Sequence, residues 1–210
     1  MKARPRKRAL AAAIFCTSIL AACTPTASQF MPRYAEGPSP RGFIVCHGYG
    51  CRLESNIALS SEEWLAVRAR FAPAASDAAT ERAQIAAAVA LVEGQVGLRI
   101  GTSAHQRRDL LNRDDTQMDC IDQTSNSWAY LTMMEEDGLL RYHRVGEPAY
   151  RGGLLTFDLS NTAVIIEAAS GKRFAIDATM VDAGKPPPVE PIEQWMAETE
   201  PVWSVQPYRE

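Results

Sequence analysis

The chain has 210 residues and 46% hydrophobic content, and it shows no internal repeat. Five of its 22 basic residues lie within the first eight, so the remainder carries 17 basic against 25 acidic residues, a formal charge of −8. Nucleic acid is excluded as a partner on that balance, because a phosphate backbone demands a basic face.

In chain order, the first element is an export signal. Lys2, Arg4, Arg6, Lys7 and Arg8 form a basic head without an acid, and an apolar run from Ala9 to Ala22 follows, broken by Thr17 and Ser18. The run is too short to span a bilayer comfortably, which is the pattern of a secretory signal. It ends in Leu20-Ala21-Ala22-Cys23, with small residues before the cut and a thiol just after it. This resembles the lipobox of bacterial lipoproteins. The resemblance implies a signal peptide over 1–22, a diacylglycerol on Cys23 and stable anchoring through more than one acyl chain. Thr24 stands where an aspartate would resemble an inner-membrane retention signal, so the implied location is the outer membrane, facing the periplasm. Pro25, Pro32, Pro38 and Pro40 mark 23–41 as a flexible tether. A single globular domain is expected over 42–200, with a tail over 201–210.

Phe43-Ile44-Val45 is a strand signal, and Leu53, Ser55, Ile57 and Leu59 alternate as a half-buried partner strand between 52 and 59. Between them lies Cys46-His47-Gly48-Tyr49-Gly50-Cys51, whose glycines permit a tight turn. An oxidising periplasm favours a Cys46–Cys51 disulfide there. Zinc held by Cys46, His47, Cys51 and Cys120 is the alternative, but the C-x4-C spacing has no second pair beside it. Neither a metal nor a cofactor is therefore expected. Three cysteines remain after Cys16 leaves with the signal and Cys23 takes the lipid, so at least one thiol is free or pairs with another molecule.

Ser60-x-x-Glu63 has capping-box spacing and predicts a helix through Trp64, Val67 and Phe71. Ser76-Asp77 predicts a second helix with an apolar stripe at Ile85, Val89, Val92 and Val96, ended by Gly97. Residues 98–118 read as a polar loop. Asp109, Asp114, Asp115, Asp119 and Asp122 in and after it lack the regular calcium-loop pattern and read as a solvated face. A third helix is expected from Asp119-Cys120 through Met134, with Gly138 as its stop. Asp122 and Asn126 are expected to hydrogen-bond along it. Strand signals follow at Leu139–Val145, Gly153–Phe157, Thr162–Ala168 and Arg173–Met180, with a turn at Ala169–Lys172. Pro186-Pro187-Pro188 ends the regular structure, and Ile192, Trp195 and Met196 make a closing segment. The expected class is α+β: a hairpin and helices, then a helix-borne cysteine packed on an antiparallel sheet.

Cys120 is the main chemical candidate, since a helix start favours thiolate over thiol. Met118-Asp119-Cys120-Ile121-Asp122, Asn161-Thr162-Ala163-Val164-Ile165 and Phe174-Ala175-Ile176-Asp177 follow one another as helix, strand and strand. Residues 118–180 thereby resemble the transglutaminase-like branch of the papain-like folds. The resemblance implies a Cys120 nucleophile, a base on the first core strand and Asp177 as the acid that orients it. No histidine lies within 155–170, where Ser160 or Asn161 stands instead, and His143 is the nearest substitute base. The whole chain also resembles a group of uncharacterised proteobacterial proteins, a likeness that brings no activity.

Two functions are left open. One is a Cys-dependent peptidase or acyl-transferase using Cys120, Asp177 and His143. The other is a non-catalytic envelope lipoprotein binding a peptide, a protein partner or cell-wall material. For the second, Cys120 is a buried or disulfide-bonded cysteine, Asp177 a turn or ion-pair residue, and His143 a half-exposed strand residue.

Overall fold

A computed structural model describes residues 37–106, 114–152 and 160–198. The expected signal peptide, Cys23, most of the tether, Asp109, the strand expected at Gly153–Phe157 and the tail lie outside the described residues. What is described is α+β.

Strands β1 (Phe43–His47) and β2 (Leu53–Ile57) pair antiparallel, Phe43 opposite Ile57 and His47 opposite Leu53. Helix α1 (Ser61–Arg68) begins at the expected capping box: Glu63 N–H donates to Ser60 Oγ (3.2 Å), and Ser60 N–H donates to Glu63 Oε2 (2.7 Å). It ends earlier than predicted, because Ala69–Phe71 tightens into a 3-10 turn that still buries Phe71.

Helix α2 (Ala78–Ile100) is capped by Asp77, whose Oδ1 accepts from Thr80 N–H (2.8 Å). It runs through Gly97, the expected stop, and ends instead at Gly101, which is left-handed at φ +84°. Gly97 serves packing rather than termination. A Cβ there would lie 3.0 Å from Ser103 N in the 3-10 turn Thr102–Ala104, which folds back against the helix. By length and composition α2 is apolar enough to cross a membrane. It buries Ile85, Ala88, Val89, Val92 and Val96 in the domain core, and with them the partnered carboxylates Glu81 and Glu93. That is the pattern of a core helix.

Helix α3 (Cys120–Glu136) starts at Asp119 and gives way at Asp137-Gly138, as its sequence predicts. It is buried nearly all round. Every residue from Asp122 to Ser127 is enclosed, as are Tyr130, Leu131, Met133 and Met134. Its polar residues therefore face protein, not water.

The second sheet is antiparallel in the order β3 (His143–Arg151), β4 (Ser160–Glu167), β5 (Arg173–Ile176), β6 (Val189–Pro191). The first of these strands begins four residues later than predicted, because residues 141–143 turn around the Glu81 carboxylate. Strand β5 stops at Ile176, since Asp177 caps a 3-10 turn over Ala178–Met180. Strand β6 was not expected. It follows the proline run and aligns Val189 with Ile176 and Pro191 with Phe174.

One sheet face, through Ala163, Ile165, Phe174 and Ile176, joins the main core with α2 and α3. The opposite face, through Val164 and Ala175, packs beneath Ile192 and Trp195 of the short helix α4 (Ile192–Ala197). With α3 held between the hairpin and the sheet, Cys120 meets one and the cap of its helix meets the other.

Candidate functional site

Cys120 is half-buried at the first position of α3 and is the free cysteine among the described residues. Asn161, near the start of β4, donates to its sulfur from Nδ2 at 3.5 Å. Asn161 is 9% exposed, and its Oδ1 has no partner among the described residues. Burial pushes the Cys120 thiol up to about 11, and the charges of Asp119 and Asp177 add to the rise; the Asn161 donors oppose it without offsetting it. The sequence predicted the opposite direction from the helix start alone. The first reason is burial of the thiol, which a local reading of the helix start does not contain; the second is that the cap of this helix is a carboxylate, whose charge opposes the helix dipole at the sulfur.

Asp177 is almost fully buried where β5 ends. Its Oδ2 accepts from Trp195 Nε1 at 2.7 Å, and its Oδ1 accepts from the backbone N–H and hydroxyl of Thr179. The carboxylate is thus held by fixed donors, as a buried charge requires. Cys120 and Asn161 are in contact, and the Asp177 charge lies near enough to act on the thiol. Trp195 is the member that sequence reasoning missed, for it reads simply as an apolar anchor and its indole N–H finds Asp177 only through the packing of α4.

His143 is not brought to this cluster, which corrects its assignment as a substitute base. Its strand position pairs with Glu167, whereas Asn161 pairs with Tyr150. Six residues of β4 separate the two, about 20 Å at the rise of a strand. The imidazole is also committed. Nδ1 lies 2.9 Å from Glu81 Oε1, and Arg82 Nη1, which can only donate, lies 3.3 Å from Nε2. Glu81 further accepts from the N–H groups of Arg141, Tyr142 and His143 at 2.7–2.9 Å. His143 is therefore a buried structural residue, not a half-exposed one. Of the remaining histidines, His105 takes Met118 N–H on Nδ1 (3.2 Å), and His47 lies 2.8 Å from Asp115 O and 3.0 Å from Ser55 Oγ.

Cys46 and Cys51 form a disulfide, so no thiolate pair is left there for zinc. Among the described residues no group of three or more histidine, cysteine or acidic side chains is arranged to hold a metal ion. The loop closed by the disulfide sits on the start of α3. Asp122 Oδ2 accepts from Tyr49 N–H (2.8 Å), Asp122 Oδ1 from Cys51 N–H (2.6 Å), and Asp119 Oδ2 from Gly50 N–H (2.9 Å). One turn further on, Asn126 exchanges two hydrogen bonds with the Cys46 backbone, at 2.7 and 2.9 Å. These contacts correct two readings: Asp119 and Asp122 are not a solvated face, and Asp122 and Asn126 do not bond along the helix. Burial, together with the neighbouring Asp119 charge, pushes the Asp122 carboxyl up to about 7 against the pull of its N–H donors. Glu93 is likewise raised to about 7 by burial, although Gln123 Nε2 donates to it at 3.1 Å.

The centre therefore presents a protonated thiol, an amide and a pinned carboxylate. An amide cannot take a proton from a thiol, so among the described residues Asn161 holds the place at the sulfur that a base takes in acyl transfer. On the other face of the sheet, Pro148, Ala149, Tyr150, Arg173, Ile192 and Met196 line an open groove of about 810 Å³ beside the edge strand β3. Tyr150 and Met196 are exposed there. No protein-family model, curated protein or solved structure matches the chain.

Proposed function

We propose that this protein is a lipid-anchored envelope protein on the periplasmic face of the outer membrane. Its transglutaminase-like core binds a peptide or protein partner and does not transfer acyl groups. The observation that carries the reading is the Asn161 amide on the Cys120 sulfur at 3.5 Å, where a thiol enzyme needs a base, with the thiol raised to about 11. The binding half draws support from the groove beside β3, because an edge strand next to apolar pockets suits an extended peptide. The Leu20–Cys23 motif supports the anchor.

Exposing the purified full chain at pH 7.5 to a peptidyl vinyl sulfone, with peptide mapping of the adduct, tests the catalytic question. Labelling of Cys120 no faster than a free cysteine is expected. Labelling hundreds of times faster would restore the peptidase or acyl-transferase reading. Cys23→Ala tests the anchor separately: the protein is expected to leave the membrane fraction, and unchanged fractionation would remove the lipoprotein assignment.

A further inference from the structure

Two of the four exposed large apolar side chains among the described residues, Tyr150 and Met196, lie together along the groove beside β3, 41% and 51% exposed. Exposed apolar residues are ordinary when scattered; two on one concave surface mark it as a place for a cover. Helix α4 forms one wall through Ile192, Met196 and Ala197. That helix is six residues long, about 9 Å at its rise per residue. The chain leaves the wall at a fixed place. Arg151, the last residue of β3, lies 4.3 Å over the Trp195 ring and donates to Trp195 O and to Glu198 Oε2, the latter at 2.8 Å. Glu198, one residue past the wall, is thereby pinned to the end of the strand that borders the groove.

The sequence that follows Glu198 has the chemistry to cover the groove. Residues 199–210 include Val202, Trp203, Val205 and Tyr208. Side chains two apart in an extended segment fall on one side, which pairs Trp203 with Val205, and a tryptophan alone buries about 200 Å². Five peptide units lead from Glu198 to Trp203, a reach of up to about 17 Å, longer than the α4 wall. A segment joined to its site through so short a link meets it at an effective concentration on the order of millimolar. We propose that residues 202–208 of this chain cover the groove, Trp203 and Val205 seated against Met196 and Pro148, so that a partner peptide binds by displacing them. The inference rests on the reading of this groove as a peptide site and adds its regulation: the chain carries its own competitor, joined to the wall of the site.

The test is the rate at which hydrogen peroxide oxidises Met196 in the full chain, with no partner present, resolved by peptide mapping. The double variant Trp203→Ser/Val205→Ser is expected to raise that rate at least five-fold and to leave the Met180 rate unchanged. In a second sample, p-benzoylphenylalanine in place of Trp203 is expected on irradiation to cross-link within its own chain to Met196 or to residues 148–150. Met196 rates within two-fold in the two proteins overturn the proposal, as does a rise that Met180 shares. A cross-link between two chains also overturns it, making a second copy the occupant, and so does the lack of any cross-link to the groove. Because no partner enters these measurements, an uncovered groove leaves the peptide-binding reading standing, and a covered groove stands whether or not a partner is found.

Discussion

At the residue scale the decisive feature is what faces Cys120. A thiol raised to about 11 by burial and by Asp119 and Asp177 reacts slowly at neutral pH, because the thiolate is the nucleophile. Its alkylation rate is expected to keep rising without levelling off across pH 7 to 10 in stopped-flow measurements, since its midpoint lies well above that of a free cysteine. A midpoint near 8.5 would contradict the electrostatics described here. Asn161→His supplies the imidazole that the position lacks, and should speed alkylation of Cys120 at pH 7.5 by at least ten-fold; an unchanged rate would mean that the amide is not the limiting group. Asp177 serves stability at the same spot. Asp177→Ala leaves the buried Trp195 indole N–H without its acceptor and should cost about 2–3 kcal/mol in urea denaturation.

At the element scale, buried carboxylates join segments that have no local reason to meet. Glu81 on α2 gathers three consecutive N–H groups and the His143 ring, and so fixes where β3 begins. Arg82, the next residue on α2, lies 4.1 Å over the Phe174 ring on the sheet. Glu81→Ala removes the charge that satisfies all four donors in a buried setting, and should destabilise the protein by about 3–5 kcal/mol. A loss under 1 kcal/mol by denaturant titration would show that water replaces the carboxylate without strain. The same logic accounts for α3. Asp119, Asp122 and Asn126 lie along one face of the helix and bind the hairpin loop, while Cys120 faces β4. A helix that carries so many polar residues yet is buried nearly all round is built to organise its neighbours.

At the scale of the whole molecule, the raised carboxyls set the pH dependence of folding. Asp122 and Glu93 hold their protons up to about 7 in the folded chain, whereas the unfolded chain releases them near 4. The folded state binds more protons over that interval, so their contribution is fully present below about pH 4 and declines as pH rises through 7. Glu63, Asp77 and Asp137 are lowered and act in reverse: their contribution is present above the ordinary carboxylate range and lost as pH falls below it. A maximum of stability near pH 5 follows, with Tm at pH 8 lower by several degrees. Differential scanning fluorimetry from pH 4 to 9 checks this, and a Tm that climbs steadily to pH 8 would mean that the N–H donors to Asp122 outweigh its burial.

The sequence by itself determined the class and most of the element starts. The Ser60/Glu63 box, the Asp77 cap, the Asp119 cap and the Gly138 stop all act within a few residues of themselves, so their physics is complete in a local reading. The apolar run at Phe43–Val45, the alternation from Leu53 to Leu59 and the strand signal at Thr162–Ala168 likewise marked β1, β2 and β4. The helix end at Gly97 was misread because a left-handed stop and a close-packing contact both call for glycine, and only the fold-back of Thr102–Ala104 tells them apart. Strand β6 escaped notice because three residues after a proline run carry no periodicity and owe their place to hydrogen bonds from β5. The candidate site was legible only as a set of names. Cys120 and Asp177 could be named from their places at a helix start and a strand end, but the partners that define their chemistry, Asn161 on the sulfur and Trp195 on the carboxylate, depend on how the sheet and its two faces pack. The same holds for His143, whose isolation from Cys120 follows from β-sheet register, and for the clamp on Asp119 and Asp122, which bridges about 70 residues of chain. Hydrogen bonds between distant segments are fixed by the packing that brings those segments together, and that packing belongs to the whole fold.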